Sequence, residues 1–130
     1  MNLNDLESIC SNLEKDFDDF WNYNILKNEL QNPNSIYFVA KDKNNNILGF
    51  IIFEIKDKRS KTLWIDQLVV DEKERGKGIS SLLIKKAEEI AKKEKCVRVE
   101  FCCWSFNKHA NEIYNHLGFK EQIVIFEKEI

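Results

Sequence analysis

Arg75, Gly76, Lys77, Gly78, Ile79, Ser80 and Ser81 bring two glycines, two cations and the start of a helical pattern into one short stretch. Glycine reaches backbone angles that a side chain disfavours and lets the main chain come close to a ligand. The first turn of a helix presents unpaired N–H groups and a partial positive charge. Together these suit a phosphate or pyrophosphate. A glycine turn before a helix has the same composition, so spacing and surroundings must decide between the two.

Two phosphate-binding patterns fail on spacing. The Walker pattern places Gly-Lys-Ser/Thr after a first glycine and four further residues, whereas Lys77 lies between Gly76 and Gly78. The dinucleotide fingerprint needs G-x-G-x-x-G directly after a strand, but polar residues 71–75 intervene after Val70 and Ser81 holds the third glycine position. A nucleotide-binding module is therefore disfavoured. A third pattern, R-x-x-G-x-G/A, matches residues 75–80 except that Ser80 takes the last small position.

The elements that must position this stretch can be read from periodicity. Leu3, Leu6, Ile9, Leu13, Phe17 and Trp21 recur at helical steps, and two helices are expected before Asn32-Pro33 ends the second. Residues 36–41 and 47–56 are β-rich around a polar turn at 42–46, which predicts a hairpin. A second polar turn at 57–61 leads into a third antiparallel strand over 62–70. After Gly78, the apolar residues Ile79, Leu82, Leu83, Ala87, Ile90 and Ala91 predict an amphipathic helix.

Residues 97–104 read as the next strand. A strand reached through a helix from 62–70 forms a parallel βαβ crossover. A short helix follows, with Ser105 or Asn107 as N-cap and Gly118 as its stop, and residues 119–128 read as a last strand. The fold class is α+β: a mostly antiparallel mixed sheet with one parallel crossover and helices on both faces.

The 130 residues suit one domain, 1–130, with a core of its own. The net charge of -2, with acids and bases interleaved, offers no basic field for nucleic acid. No run of about 18 apolar residues is present, and no leader segment is evident. No membrane association and a cytoplasmic location are expected, and a homodimer is left open without being indicated. Cys10, Cys96, Cys102 and Cys103 show no metal-ligand spacing, so no metal is expected. Cys102 and Cys103 sit in the apolar run of the strand at 97–104 and read as buried core thiols. His109 and His116 read as exposed helix residues.

Asn107, Ala110, Tyr114, Gly118 and Phe119 match N-x-x-A-x-x-x-Y-x-x-x-G-F at every specified position. With residues 75–80 in the right order before it, this resembles the GNAT acetyltransferase superfamily over about residues 36–130. The resemblance implies acetyl-CoA as cosubstrate, with its pyrophosphate over the N–H groups of residues 76–81. It implies that the strand holding Leu68, Val69 and Val70 diverges from its parallel neighbour and pairs with the pantetheine arm. It also places Asn107 near the thioester and gives Tyr114 the role of general acid toward the departing thiolate.

In two respects the chain departs from the family pattern. The strand that usually precedes the first helix is absent or vestigial, and 119–130 has room for one strand where many relatives have two and a loop. Residues 21–38 loosely resemble the ribosomal-protein alanine acetyltransferases, which use that loop against a peptide.

Acetyl transfer to an amine requires a neutral nucleophile, a polarised carbonyl and a proton for the thiolate. Asp66, where some polyamine acetyltransferases of the family carry glutamate, is the candidate base through a water, and Glu54 is the runner-up. If the hairpin centres near Ser60, Glu54 lies opposite Asp66, a carboxylate pair suited to a cationic amine. The resemblance also implies Trp21 as one wall of the acceptor pocket. The expected function is N-acetylation of a small cationic amine by direct attack in a ternary complex. The alternatives are a protein or peptide amine acceptor, or a non-catalytic CoA-binding regulatory domain.

Overall fold

The computed structural model describes residues 31–44, 46–57, 60–103 and 108–130. Three strands, β1 (Ser35–Lys41), β2 (Ile47–Asp57) and β3 (Lys61–Val70), pair antiparallel in that order. Helix α1 (Ile79–Lys93) then crosses to β4 (Arg98–Glu100), which lies parallel to β3. Helix α2 (Lys108–His116) follows. The sheet order is β1-β2-β3-β4, the mixed sheet with one parallel crossover that the sequence predicts. The helices expected within residues 1–30 lie outside the described residues.

Turn chemistry sets the first hairpin. Asp42 accepts from the backbone N–H of Asn44 at 2.8 Å and of Asn46 at 2.9 Å, an aspartate turn across the loop. The Asn46 backbone hydrogen bond, more than any other influence, holds the Asp42 carboxyl below its ordinary value.

One face of the sheet packs on α1. Ile51, Phe53, Leu63 and Ile65 meet Ile79, Leu83, Ala87 and Ala91 in a single buried cluster. Full burial of a Leu, Ile or Phe side chain contributes roughly 1.5–3 kcal/mol, so this contact fixes where α1 begins and hence where Gly76 and Gly78 sit. Leu82, expected on the same face, is 66% exposed because its position on the helix turns away from the sheet. Phe50 and Ile52 are buried on the sheet's other face.

Gly49 allows the close approach of β2 to the end of β3. A Cβ there would lie 2.7 Å from the Val69 carbonyl oxygen and 3.4 Å from Ile79 Cγ2. The Val69 oxygen is backbone and cannot swing aside. Gly49→Ala is therefore expected to lower stability by about 1–3 kcal/mol, seen as a reduced urea midpoint at unchanged slope. An unchanged midpoint would show that β2 and β3 separate here without strain.

At the far end of α1, Lys95 takes φ 61°. Cys96 N–H donates to Ala91 O at 2.8 Å and Lys95 N–H to Lys92 O at 3.1 Å, the paired bonds of a left-handed helix stop. The chain reverses there, and Val97 N–H reaches Lys61 O at 2.9 Å to start the parallel ladder.

Four expectations change. The hairpin of β2 and β3 pairs Asp57 with Lys61, which sets Glu54 opposite Trp64 and not opposite Asp66. The strand expected over 97–104 contracts to Arg98–Glu100. Cys102 and Cys103, expected in its buried interior, are exposed beyond its end. The strand expected over 119–128 is not formed, and residues 120–130 are exposed apart from their root at Phe119. Its β-branched residues favour a strand, yet a strand needs a partner edge as well as propensity.

Candidate active site

The site begins at a defect in β3. Phe53 pairs with Ile65 and Ile52 with Gln67, so Asp66 is the extra residue of a β-bulge. A bulge bends its strand and increases the local twist. The consequence falls on β4: its ladder covers Thr62, Leu63 and Trp64 and ends there, just before the bulge. Among the described residues the parallel ladder does not continue beyond Trp64 and Glu100. The two parallel strands thus separate toward their carboxyl ends, the position where open parallel sheets place ligands. Leu68, Val69 and Val70 follow the bulge on β3, where the family resemblance implies backbone pairing with a pantetheine arm.

The loop from β3 to α1 is braced from below. Asp71 N–H donates to Leu48 O at 2.8 Å, and the Asp71 carboxylate caps a single 3-10 turn, Glu72–Glu74, by accepting from Lys73 N–H at 3.2 Å. Gly76 and Gly78 both take φ 81°, the left-handed region in which glycine is favoured. No described atom lies within 4 Å of where a Cβ would stand at either glycine. Their requirement is backbone angle, and the space in front of them is open.

Gly78 is also the residue before the first turn of α1, and no side chain caps that helix. The opening N–H groups of α1 face the loop with their partial positive charge unneutralised by a capping oxygen. Ile79 is buried against the core, while Ser80 and Ser81 are half-buried at the mouth. Both flanking cations are held. Arg75 Nε donates to Val70 O at 3.3 Å, and Lys77 Nζ donates to Glu74 Oε2 at 2.8 Å. The arrangement fits a bound pyrophosphate: donors from the helix end, room above the glycines, and two cations at the rim.

Tyr114 stands past the end of β4. Its ring meets Phe101 edge-on with centroids 4.4 Å apart, and Phe119 lies 4.9 Å from Phe101 and 6.3 Å from Tyr114. The cap of α2 creates this trio: Gly118 takes φ 92°, Gly118 N–H donates to Asn115 O, and Phe119 N–H donates to Tyr114 O at 3.0 Å. These bonds turn Phe119 back over the helix end. Burial, and then the neighbouring Cys103, push the Tyr114 hydroxyl above its ordinary value. A phenol so placed stays protonated at neutral pH and can supply a proton. Partial desolvation also raises the Cys103 thiol, which lowers its fraction of thiolate.

A matching family model spans residues 2–119 and is described as the acetyltransferase (GNAT) family. The chain belongs to the GNAT acetyltransferase family. The spermine/spermidine N(1)-acetyltransferase of Bacillus subtilis (strain 168) is 26% identical over 81 residues, covering 58% of this chain and 53% of that protein. The thialysine N-epsilon-acetyltransferase of Bos taurus is 27% identical over 73 residues, 56% of this chain and 43% of that one. The chain thus spans about half the length of these curated relatives. In structure it is similar to AAC(6')-Iy, solved with the bisubstrate analogue CoA-S-monomethyl-acetylneamine, at TM-score 0.80 and 19% identity, covering all of this chain and 95% of that one. That likeness establishes the GNAT fold.

Glu54 has a different setting from the one its strand parity suggested. Its Oε1 accepts from Asn32 Nδ2 at 2.9 Å, and Lys56 Nζ lies 3.7 Å from its Oε2 and 5.5 Å from the Trp64 ring centroid. A carboxylate engaged by an amide and an ammonium is poorly placed to serve as a base. Asp66, at the bulge, is half-buried beside the gap. Asn107 and Trp21 lie outside the described residues, as does the side chain of His109. His116 is exposed, as expected.

Sequence reasoning missed three contributors. The bulge at Asp66 left no mark, because both strands alternate plausibly through it. Phe101 and Phe119 read as ordinary strand residues, although they set the burial of Tyr114. Gly49, isolated inside a strand, did carry a signal, since such a glycine often marks a close backbone approach. Among the described residues no group of three or more His, Cys, Asp or Glu is placed to hold a metal, and no helix is long and apolar enough to cross a membrane.

Proposed function

We propose that this GNAT chain transfers the acetyl group of acetyl-CoA to the primary amine of a small cationic acceptor. The observation that carries this reading is the parting of β3 and β4, with the glycine cradle at the end of one strand and Tyr114 beyond the end of the other. The pyrophosphate rests on residues 76–81, and the pantetheine arm runs along Leu68, Val69 and Val70 toward Tyr114. The neutral amine attacks the thioester carbon, the C–S bond breaks with its electron pair going to sulfur, and the Tyr114 hydroxyl gives that sulfur its proton. Backbone N–H groups of residues 68–70 polarise the carbonyl. Asn107 beside the thioester and Trp21 as an acceptor wall belong to the same proposal and rest on the family resemblance alone.

The acceptor class is supported by Asp66 at the bulge and by the two curated relatives, whose names give spermine, spermidine and thialysine as substrates. Asp66, half-buried at the bulge, is the carboxylate that attracts the amine and takes its proton, through a water. Asp66→Asn is expected to raise amine KM and lower kcat/KM by about 10²-fold or more, the range for a general base. The CoA affinity is expected to stay constant. Unchanged amine kinetics would remove Asp66 from the acceptor site.

Thiol release from acetyl-CoA across polyamines, aminoglycosides, amino acids and peptides tests the proposal as a whole. The expected result is the highest kcat/KM on a polyamine. CoA binding with no thiol release on any acceptor would favour a regulatory domain, and highest activity on peptides would favour a protein amine.

A further inference from the structure

We infer that Glu74 competes with the cofactor for Lys77, and that by contesting this cation it weakens the hold on CoA and speeds the release of CoA after each turnover. This role rests on the proposed pyrophosphate site at residues 76–81. Lys77 Nζ lies 2.8 Å from Glu74 Oε2, the distance of a full charge-assisted hydrogen bond. The two residues stand on either side of Arg75 and the left-handed Gly76, so the pair spans the first glycine turn of the cradle.

The partners differ in how firmly they are held. Glu74 ends the 3-10 turn, where its N–H donates to Asp71 O at 2.8 Å, and Asp71 is itself tied to β2 through Leu48 O. Its side chain is 25% exposed, against 62% for Lys77. The carboxylate is therefore the fixed partner, and the ammonium is the one that can swing to a ligand.

Charge around the cradle gives the pair its consequence. Residues 71–77 carry three acids, Asp71, Glu72 and Glu74, against three bases, Lys73, Arg75 and Lys77. The loop is neutral as a whole, so its pull on a phosphate depends on drawing a cation away from an acid. When a phosphate takes Lys77, Glu74 loses this ion pair while staying fixed beside a multiply charged anion. Both effects fall on the bound state alone, and only such a difference shifts a binding equilibrium. An exposed ion pair is worth up to about fivefold in an equilibrium constant, and the repulsion adds to it. CoA leaves with the same phosphates with which acetyl-CoA arrives. Weaker phosphate binding thus favours exchange of spent cofactor over its retention.

Calorimetry with CoA tests this on Glu74→Gln, which removes the charge and keeps the length of the side chain. Its Kd is expected to fall about fivefold, and Glu74→Ala, a second variant at the same exposed turn, is expected to change it in the same direction. Salt supplies a readout that a structural role would not move. Either variant leaves the loop with one positive charge in excess, so its CoA affinity is expected to fall more steeply with ionic strength than that of the unaltered chain. In a Lys77→Met background, Glu74→Gln is expected to tighten binding by less, because no ammonium is left to contest. If the unaltered chain binds CoA and both Glu74 variants bind it equally or more weakly, the competition is overturned while the cradle stands. An equal gain with and without Lys77 would also overturn it, leaving plain repulsion. No CoA binding by the unaltered chain would remove the cradle and the competition together.

Discussion

Gly78→Asp is expected to abolish CoA binding while leaving the fold intact. Gly78 sits at φ 81°, and a Cβ added there meets no described atom within 4 Å apart from its chain neighbours. Its effect on the ligand is severe. A carboxylate about 4 Å from a phosphate charge is repelled by roughly 4 kcal/mol at an effective dielectric of 20, close to three orders of magnitude in Kd. The left-handed backbone itself costs a side chain about 1–2 kcal/mol, less for Asp and Asn. Gly78→Asn is therefore the control: similar backbone strain, similar size, no charge. Calorimetry is expected to find no measurable CoA binding for Asp and weakened binding for Asn. Unaltered affinity in a folded Gly78→Asp protein would place the pyrophosphate elsewhere.

Tyr114→Phe is expected to lower kcat by about 10²-fold or more, near 2.7 kcal/mol of transition-state stabilisation, with CoA affinity nearly unchanged. The ring stays in its contacts with Phe101 and Phe119, so only the hydroxyl is lost. The pH profile separates chemistry from packing. Burial raises the Tyr114 hydroxyl above its ordinary value, so the acid remains protonated through neutral pH and is lost only at strongly alkaline pH. The native enzyme is expected to lose activity on that alkaline limb, and the phenylalanine variant to lack it. An unchanged rate, with the chemical step limiting, would make Tyr114 a packing residue.

Much of this site was legible because its parts are local. The left-handed angles at Gly76 and Gly78, the uncapped start of α1 and the stop at Gly118 each follow from residue type and near neighbours. The parallel pairing of β3 and β4 followed from the helix between them. What stayed hidden depends on partners distant in sequence. Whether Glu54 faces Asp66 or Trp64 turns on where a hairpin closes, and a shift of one position changes every pairing. The bulge at Asp66 shortens β4, which leaves Cys102 and Cys103 outside the strand that their apolar neighbours suggested. Residues 123–126 have strand-forming composition, but composition does not supply the partner edge that a strand needs.

The central claim is acetyl transfer from CoA held at the glycine cradle, and a single reaction addresses it most directly. Acetyl-CoA and a polyamine are incubated with the protein, and the free thiol and the acetylated amine are counted in the same sample by mass spectrometry. For the native chain the two are expected to appear in equal amounts, and for Gly78→Asp neither should rise above the uncatalysed level. Thiol without acetylated amine, or equal turnover by both proteins, would contradict the account.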